Sequence, residues 1–140
     1  MKDFLTLENL SKKEILYLIN LGLRIKKYPR LYYNKLKNKT MLLMFEKPSL
    51  RTRISFEVAM NQMGGNAIYY DLLGSPLNKG KETIEDTAKV ISRYCYLLTA
   101  RVYDHEELKK LASNSDIPVI NALSNSNHPC QAIGDLITIK

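Results

Sequence analysis

The sequence predicts an α/β protein, a single domain on a doubly wound, parallel, four-stranded sheet with helices on both faces. Three observations carry this expectation. Short apolar runs alternate four times with segments patterned at helical spacing, the order produced when crossover helices join parallel strands. The residues able to do chemistry fall directly after the apolar runs, where ligands bind in open α/β sheets. The chain of 140 residues suits one domain with a real hydrophobic core.

Taken in order, Ser11-Lys12-Lys13-Glu14 is a capping box. Ile15, Leu18, Ile19 and Leu23 follow at helical spacing, so a first helix runs to about Lys27, ahead of Pro29. Leu31 to Asn38 fits either a short helix or a basic connection. Thr40 to Phe45 is the first buried strand, and Thr52 to Met63 a helix ended by Gly64-Gly65. Ala67 to Tyr70 is the second strand, and a helix starts at Thr83-Ile84-Glu85-Asp86 and reaches Tyr94. Cys95 to Ala100 is the third strand. Asp104 caps a helix over Glu106 to Ala112, with Glu107 at the capping-box position. Pro118 to Asn121 is the fourth strand, and Pro129 opens a last helix that continues to the C-terminus.

Composition narrows the function classes. Apolar and charged fractions are those of an ordinary folded domain. No apolar run reaches the roughly 18 residues of a membrane span, and the N-terminus lacks the pattern of a secretory signal. Cys95 and Cys130 suggest no disulfide framework, so a reducing, cytoplasmic setting is expected. The net charge of +7 permits an anionic ligand. Its lysines mostly stand singly at polar positions, and only Tyr28, Tyr32 and Tyr33 interleave with them, so a nucleic-acid partner is not expected.

The loop after the first strand is the strongest constellation. Ser49, Arg51 and Thr52 sit between an apolar run and a helix start. That place leaves backbone N–H groups free and slightly positive, so hydroxyls and a guanidinium there complete an anion site. Arg53 pairs more simply with Glu57 one turn on. Arg101 stands at the end of the third strand, where a charge is otherwise unexpected, and His128 with Gln131 opens the last helix beyond the fourth. Cys130 has no partner that would make it a nucleophile. The set offers cations and donors, without an acid/base carboxylate dyad or a metal cluster. It suits a substrate that carries its own leaving group, as in acyl or phosphoryl transfer.

Together, Ser49-Leu50-Arg51-Thr52-Arg53, Asp86-Thr87-Ala88, Arg101 and His128-Pro129-Cys130-Gln131 resemble, in order, the carbamoyl-phosphate domain of the carbamoyltransferases. Phe45-Glu46-Lys47-Pro48-Ser49, Ala100-Arg101-Val102-Tyr103 and the cysteine of His-Pro-Cys-Gln are similar to the ornithine branch more than to the aspartate branch. The resemblance implies that residues 1–140 are a carbamoyl-phosphate-binding domain. Ser49, Leu50 (through its backbone), Arg51 and Thr52 would hold the phosphate. Thr52, Arg101 and His128 would bind the carbonyl oxygen, and Gln131 the amide. Catalysis would fall to Arg51, Thr52, Arg101 and His128, with no cofactor and no metal, as ornithine becomes citrulline in arginine metabolism.

The sequence departs from the family at Leu50, where threonine is usual, and at Leu77, near a residue that reaches a neighbouring subunit's site. Lys79 or Lys81 is the expected substitute. The chain stops at Lys140, inside the helix that would lead to the family's amino-acid-binding second domain. The resemblance therefore implies half an enzyme, trimeric through this domain, with little or no turnover alone and with the ornithine-binding part elsewhere. Two alternatives stand beside it. One is a non-catalytic anion-binding or interaction module on the same fold, the other half of a transcarbamylase for another amine such as aspartate.

Overall fold

The computed structural model describes residues 3–77 and 80–140. Five α-helices and four strands alternate: α1 Lys12–Lys27, β1 Thr40–Phe45, α2 Leu50–Gln62, β2 Asn66–Asp71, α3 Ile84–Tyr94, β3 Leu97–Arg101, α4 His105–Asn114, β4 Val119–Leu123 and α5 Pro129–Ile139. The strands form one parallel sheet in the order β2-β1-β3-β4, so the doubly wound expectation holds.

Strand alternation divides the core. Leu42 and Met44 of β1 point to one face, where they meet Leu98, Ala100 and Val119 under Ala88, Ile91, Leu108 and Leu111 of α3 and α4. Met41, Leu43 and Phe45 point to the other, with Met60 of α2 and Ala122 of β4. Burying each such large apolar side chain contributes roughly 1.5–3 kcal/mol, so β1, apolar on both faces, is the central beam. Helices α1 and α5 pack together on the second face, closely enough that a Cβ at Gly22 would collide with Ile137.

Local chemistry sets the ends of the elements. The capping box of α1 forms as expected, Ser11 accepting from the Glu14 N–H and Glu14 from the Ser11 N–H. The ambiguous stretch before β1 becomes a short 3-10 turn, Pro29–Tyr32, followed by turns. Helix α2 begins two residues earlier than the pattern suggested, because Ser49 is its N-cap and accepts from the Thr52 N–H at 3.4 Å. Gly64, with φ of 82°, follows its end in the left-handed region that favours glycine.

Several boundaries need correction, and β2, expected over Ala67 to Tyr70, is one residue longer at each end. Cys95 belongs to the end of α3, its N–H bonded to Ile91, so β3 starts at Leu97 and takes in Arg101 as its last residue. Strand β4 starts at Val119, after a proline that has no N–H to give, and runs on to Leu123. Asp104 caps α4 through the Glu106 N–H at 2.8 Å, and among the described residues Glu107 does not close a capping box. The outer edge of β4 is covered by the N-terminal segment: Phe4 bridges Ile120, and Asp3 accepts from the Val119 N–H at 2.9 Å. That cover satisfies an edge which would otherwise be open to strangers.

Candidate active site

The order of the strands fixes where a ligand belongs. From β1 the chain crosses outward to β2 by α2, on one face. From β3 it crosses outward to β4 by α4, on the other. The connections therefore diverge between β1 and β3, and the crevice lies at the carboxyl ends of those two strands. Phe45 and Arg101 are register partners at that end.

A cleft of about 490 Å³ opens there, lined by Ser49, Arg51, Thr52, Arg101, His128 and Gln131, with Ser55, Phe56, Leu123, Cys130 and Gly134 completing its walls. Two helix N-termini, those of α2 and α5, both meet it. Each contributes N–H groups without intrahelical partners and a partial positive charge, so the cleft attracts anions before any side chain is counted.

The side chains add to this. Arg51, in the first turn of α2, is exposed and has no protein partner among the described residues. Arg101 is half-buried and reaches across from β3, its Nη1 donating to Thr52 Oγ1 at 3.3 Å. Its Nε is buried without a partner, and burial pulls the guanidinium pKa down from its ordinary value. A guanidinium remains charged even so. The Thr52 hydroxyl, accepting from Arg101, keeps its own proton to donate into the cleft.

His128 is the N-cap of α5, and its Nδ1 is buried without a hydrogen-bond partner. Burial, and then the nearby Arg101, push its pKa below the ordinary imidazole value, while Asp135 pulls the other way. Near neutral pH the ring is therefore uncharged, with one N–H to offer. A proton on Nε2 avoids burying an unpaired N–H at Nδ1. Cys130 is no nucleophile: burial pushes its thiol up to about 12, and its Sγ donates to the Asn121 carbonyl at 3.4 Å.

Other residues named from the sequence lie apart. Leu50 opens α2 with its side chain 75% exposed, so it offers the cleft only its backbone. Arg53 pairs with Glu57 at 2.8 Å and stacks over Tyr69, scaffold as expected. Leu77 is half-buried against the core on the α3 and α4 face, and Lys81 is exposed in the same loop. Lys79 lies outside the described residues. Three residues that matter are given no role by the sequence. Ser55 lies one turn beyond Arg51 and lines the cleft. Glu46 ties the loops together by accepting from the Tyr103 N–H at 2.7 Å. Asp135 accepts from Gln131 at 2.7 Å. The helical spacing of Ser55 and Asp135 was the available signal, whereas Glu46 stands in the Phe45-Glu46-Lys47-Pro48-Ser49 motif with nothing local to show its bracing role.

Comparison with known proteins decides the family. Residues 2–140 match the family described as "Aspartate/ornithine carbamoyltransferase, carbamoyl-P binding domain". The chain belongs to this carbamoyltransferase family. It is 46% identical over 140 residues to the ornithine carbamoyltransferase of Anoxybacillus flavithermus, covering 99% of this chain and 44% of that protein. The crystal structure of ornithine carbamoyltransferase from Thermus thermophilus superposes with a TM-score of 0.93 at 40% identity, covering all of this chain and 48% of that one. The catalytic subunit of Methanocaldococcus jannaschii aspartate transcarbamoylase also matches, with a TM-score of 0.90 at 31% identity over 99% of this chain and 46% of that one. The chain thus spans about half the length of the curated relatives it matches.

The state of His128 is directly measurable. Its imidazole should titrate below the ordinary histidine range by proton NMR, and Arg101→Gln should raise it only part of the way, since burial remains. The sign for stability follows. The unfolded chain takes up the proton first as pH falls, so the contribution of His128 is present above its unfolded pKa and lost through the folded one. Titration at or above the ordinary value would contradict this picture.

Proposed function

We propose that this chain is the carbamoyl-phosphate-binding half of an ornithine carbamoyltransferase, working in the cytoplasm, where two unpaired cysteines are at ease. The observation that carries the proposal is the contact of Arg101 with Thr52 across the crevice, beside His128, whose Nδ1 is buried without a partner.

Carbamoyl phosphate has two polar ends, and the cleft has two kinds of donor. Its phosphate suits the start of α2, with the Ser49 hydroxyl, the N–H groups of Leu50 and Arg51, the Arg51 guanidinium and Thr52. Its carbonyl oxygen suits the Thr52 hydroxyl, Arg101 and the His128 N–H, and its amide suits Gln131. When a neutral amine attacks the carbonyl carbon, the C=O electron pair moves onto oxygen and a tetrahedral intermediate forms. Arg101 and His128 stabilise the developing oxyanion by donation, without needing to protonate it. The intermediate collapses by breaking the bond to the phosphate oxygen, and the leaving dianion stays beside Arg51. The proton that the attacking nitrogen loses passes to the departing phosphate, which leaves as the hydrogen phosphate dianion, and a substituted urea results, citrulline when the amine is ornithine.

The amine would come from a part of the enzyme corresponding to the other half of the relatives. Identity of 46% to an ornithine enzyme against 31% to an aspartate one supports ornithine as acceptor. The aspartate reading has its own support, because the same half-fold serves both. A homotrimer built through this domain also belongs to the proposal. Leu50, Ile54 and Val58, 75%, 48% and 43% exposed, recur every fourth residue and form an apolar stripe on the outward side of α2. Lys81 is an exposed cation of the loop that would reach a neighbour's cleft.

Isothermal titration with carbamoyl phosphate tests the ligand. The wild-type chain should bind, and Arg51→Ala should weaken binding by roughly tenfold or more, the loss of one charge-assisted contact. Absence of wild-type binding, or an unaffected variant, would refute the site. Sedimentation should show a trimer that Ile54→Glu disperses. A wild-type chain monomeric at high concentration would remove the assembly from the proposal.

A further inference from the structure

A carboxamide is two-faced, with an accepting oxygen on one side and a donating NH2 on the other, and the orientation of Gln131 decides which a ligand meets. Asp135, four residues along α5, decides that orientation. Gln131 Nε2 donates to Asp135 Oδ1 at 2.7 Å. An ionised carboxylate can only accept, so it cannot take the amide oxygen instead. One N–H of that NH2 is thereby given to Asp135, which turns the amide's donor end along α5. Gln131 lines the cleft, and its Oε1 has no protein donor among the described residues.

We propose that Asp135 is a positioning residue that holds Gln131 with its oxygen available to the cleft, so that the site selects a carbamoyl NH2 over an acyl CH3. This deepens the carbamoyl-phosphate reading and rests on it. A carboxylate beside an anion site is otherwise a liability, because like charges repel. Its field does reach the cleft, since it opposes the two influences that depress the His128 pKa. Fixing the acceptor end of Gln131 supplies a reason for its presence. Carbamoyl and acetyl phosphate differ in this one group, and phosphate contacts alone cannot tell them apart. The Gln131–Asp135 pair is exposed, so the discrimination is set by one modest hydrogen bond rather than by a sealed pocket.

Two stable probes isolate that difference: phosphonoacetamide, which carries the NH2, and 2-oxopropylphosphonate, which carries CH3 in its place. Calorimetry on the wild-type chain should give roughly tenfold tighter binding of the amide, the worth of one hydrogen bond. In Asp135→Asn the new side chain can donate as well as accept, so Gln131 can turn over. In Asp135→Ala it is unheld. Both variants should bring the ratio of affinities towards one while inorganic phosphate still binds. Loss of a negative charge would tighten both probes alike and leave the ratio untouched, so charge cannot mimic the effect. A wild type that binds both probes equally, or a ratio unchanged in both variants, overturns the role of Asp135 and leaves the anion site standing. A wild type that fails to bind even inorganic phosphate removes the anion site itself, and the selectivity with it.

Discussion

The Glu46 N–H donates to the Arg101 carbonyl at 2.8 Å, the last rung between the first and third strands, and the cleft is hung from it. The rung fixes how far the loop after β1 stands from the residue that faces it, since Ser49 is only three residues beyond. The same Glu46 accepts from the Tyr103 N–H through its carboxylate, and the Tyr103 carbonyl in turn accepts from the Asn125 N–H at 2.9 Å. Three loops from three strands are thereby held in one frame. Side-chain alternation makes this possible: Met44 and Glu46 lie along the other face from Phe45, so Glu46 braces the loop from behind without placing its charge in the cleft. Asn121 does the corresponding work for the His128 loop, donating to the Leu5 carbonyl at 2.9 Å and to the Ser124 hydroxyl and Asn127 carbonyl at 3.3 Å each.

Such rigidity comes with polar groups left wanting. Arg101 Nε and His128 Nδ1 are buried without hydrogen-bond partners. Native structures leave few groups in that condition, and functional sites are where they collect. Preorganised donors need no rearrangement when charge develops on a substrate, which is how electrostatic catalysis gains its advantage over water. The cleft's charge is also distinct from the charge of the chain. Arg24, Lys26, Lys27, Arg30, Lys35, Lys37 and Lys39 fall in a stretch without an acidic residue between Glu14 and Glu46, and these seven match the whole net charge of +7. They precede the first strand, at the end of the sheet away from the cleft, so the proposed anion site depends on geometry rather than on bulk charge.

Much of this was legible in the sequence for physical reasons. Thr40–Phe45 was bounded correctly because a strand buried on both faces is an unbroken apolar run, and Ser11 with Glu14 announced a helix start that needs both residues. Ser49, Arg51, Thr52, Arg101, His128 and Gln131 come from three separated segments picked out by one rule, that chemistry gathers after parallel strands, and they line one cleft. What escaped is what only folding supplies. Cys95 has the apolar character of a strand, but the backbone there still completes the preceding helix. Leu123 is counted into the fourth strand by pairing with Arg101 across a register shift, which no local pattern encodes. Glu46 reads as a loop charge until Tyr103 is beside it, and Asp135 as a surface residue until Gln131 is seen to line the cleft.

The central claim is that two helix starts and one strand end form a prepared anion site. It is tested most directly by amide NMR of the chain titrated with inorganic phosphate. The largest shifts should fall on Leu50 to Arg53 and on Cys130 and Gln131, and they should be accompanied by a shift of Arg101 Nε. Shifts confined to the basic stretch between Arg24 and Lys39, with the two helix starts undisturbed, would show that the chain attracts anions only by its charge and would contradict the site described here.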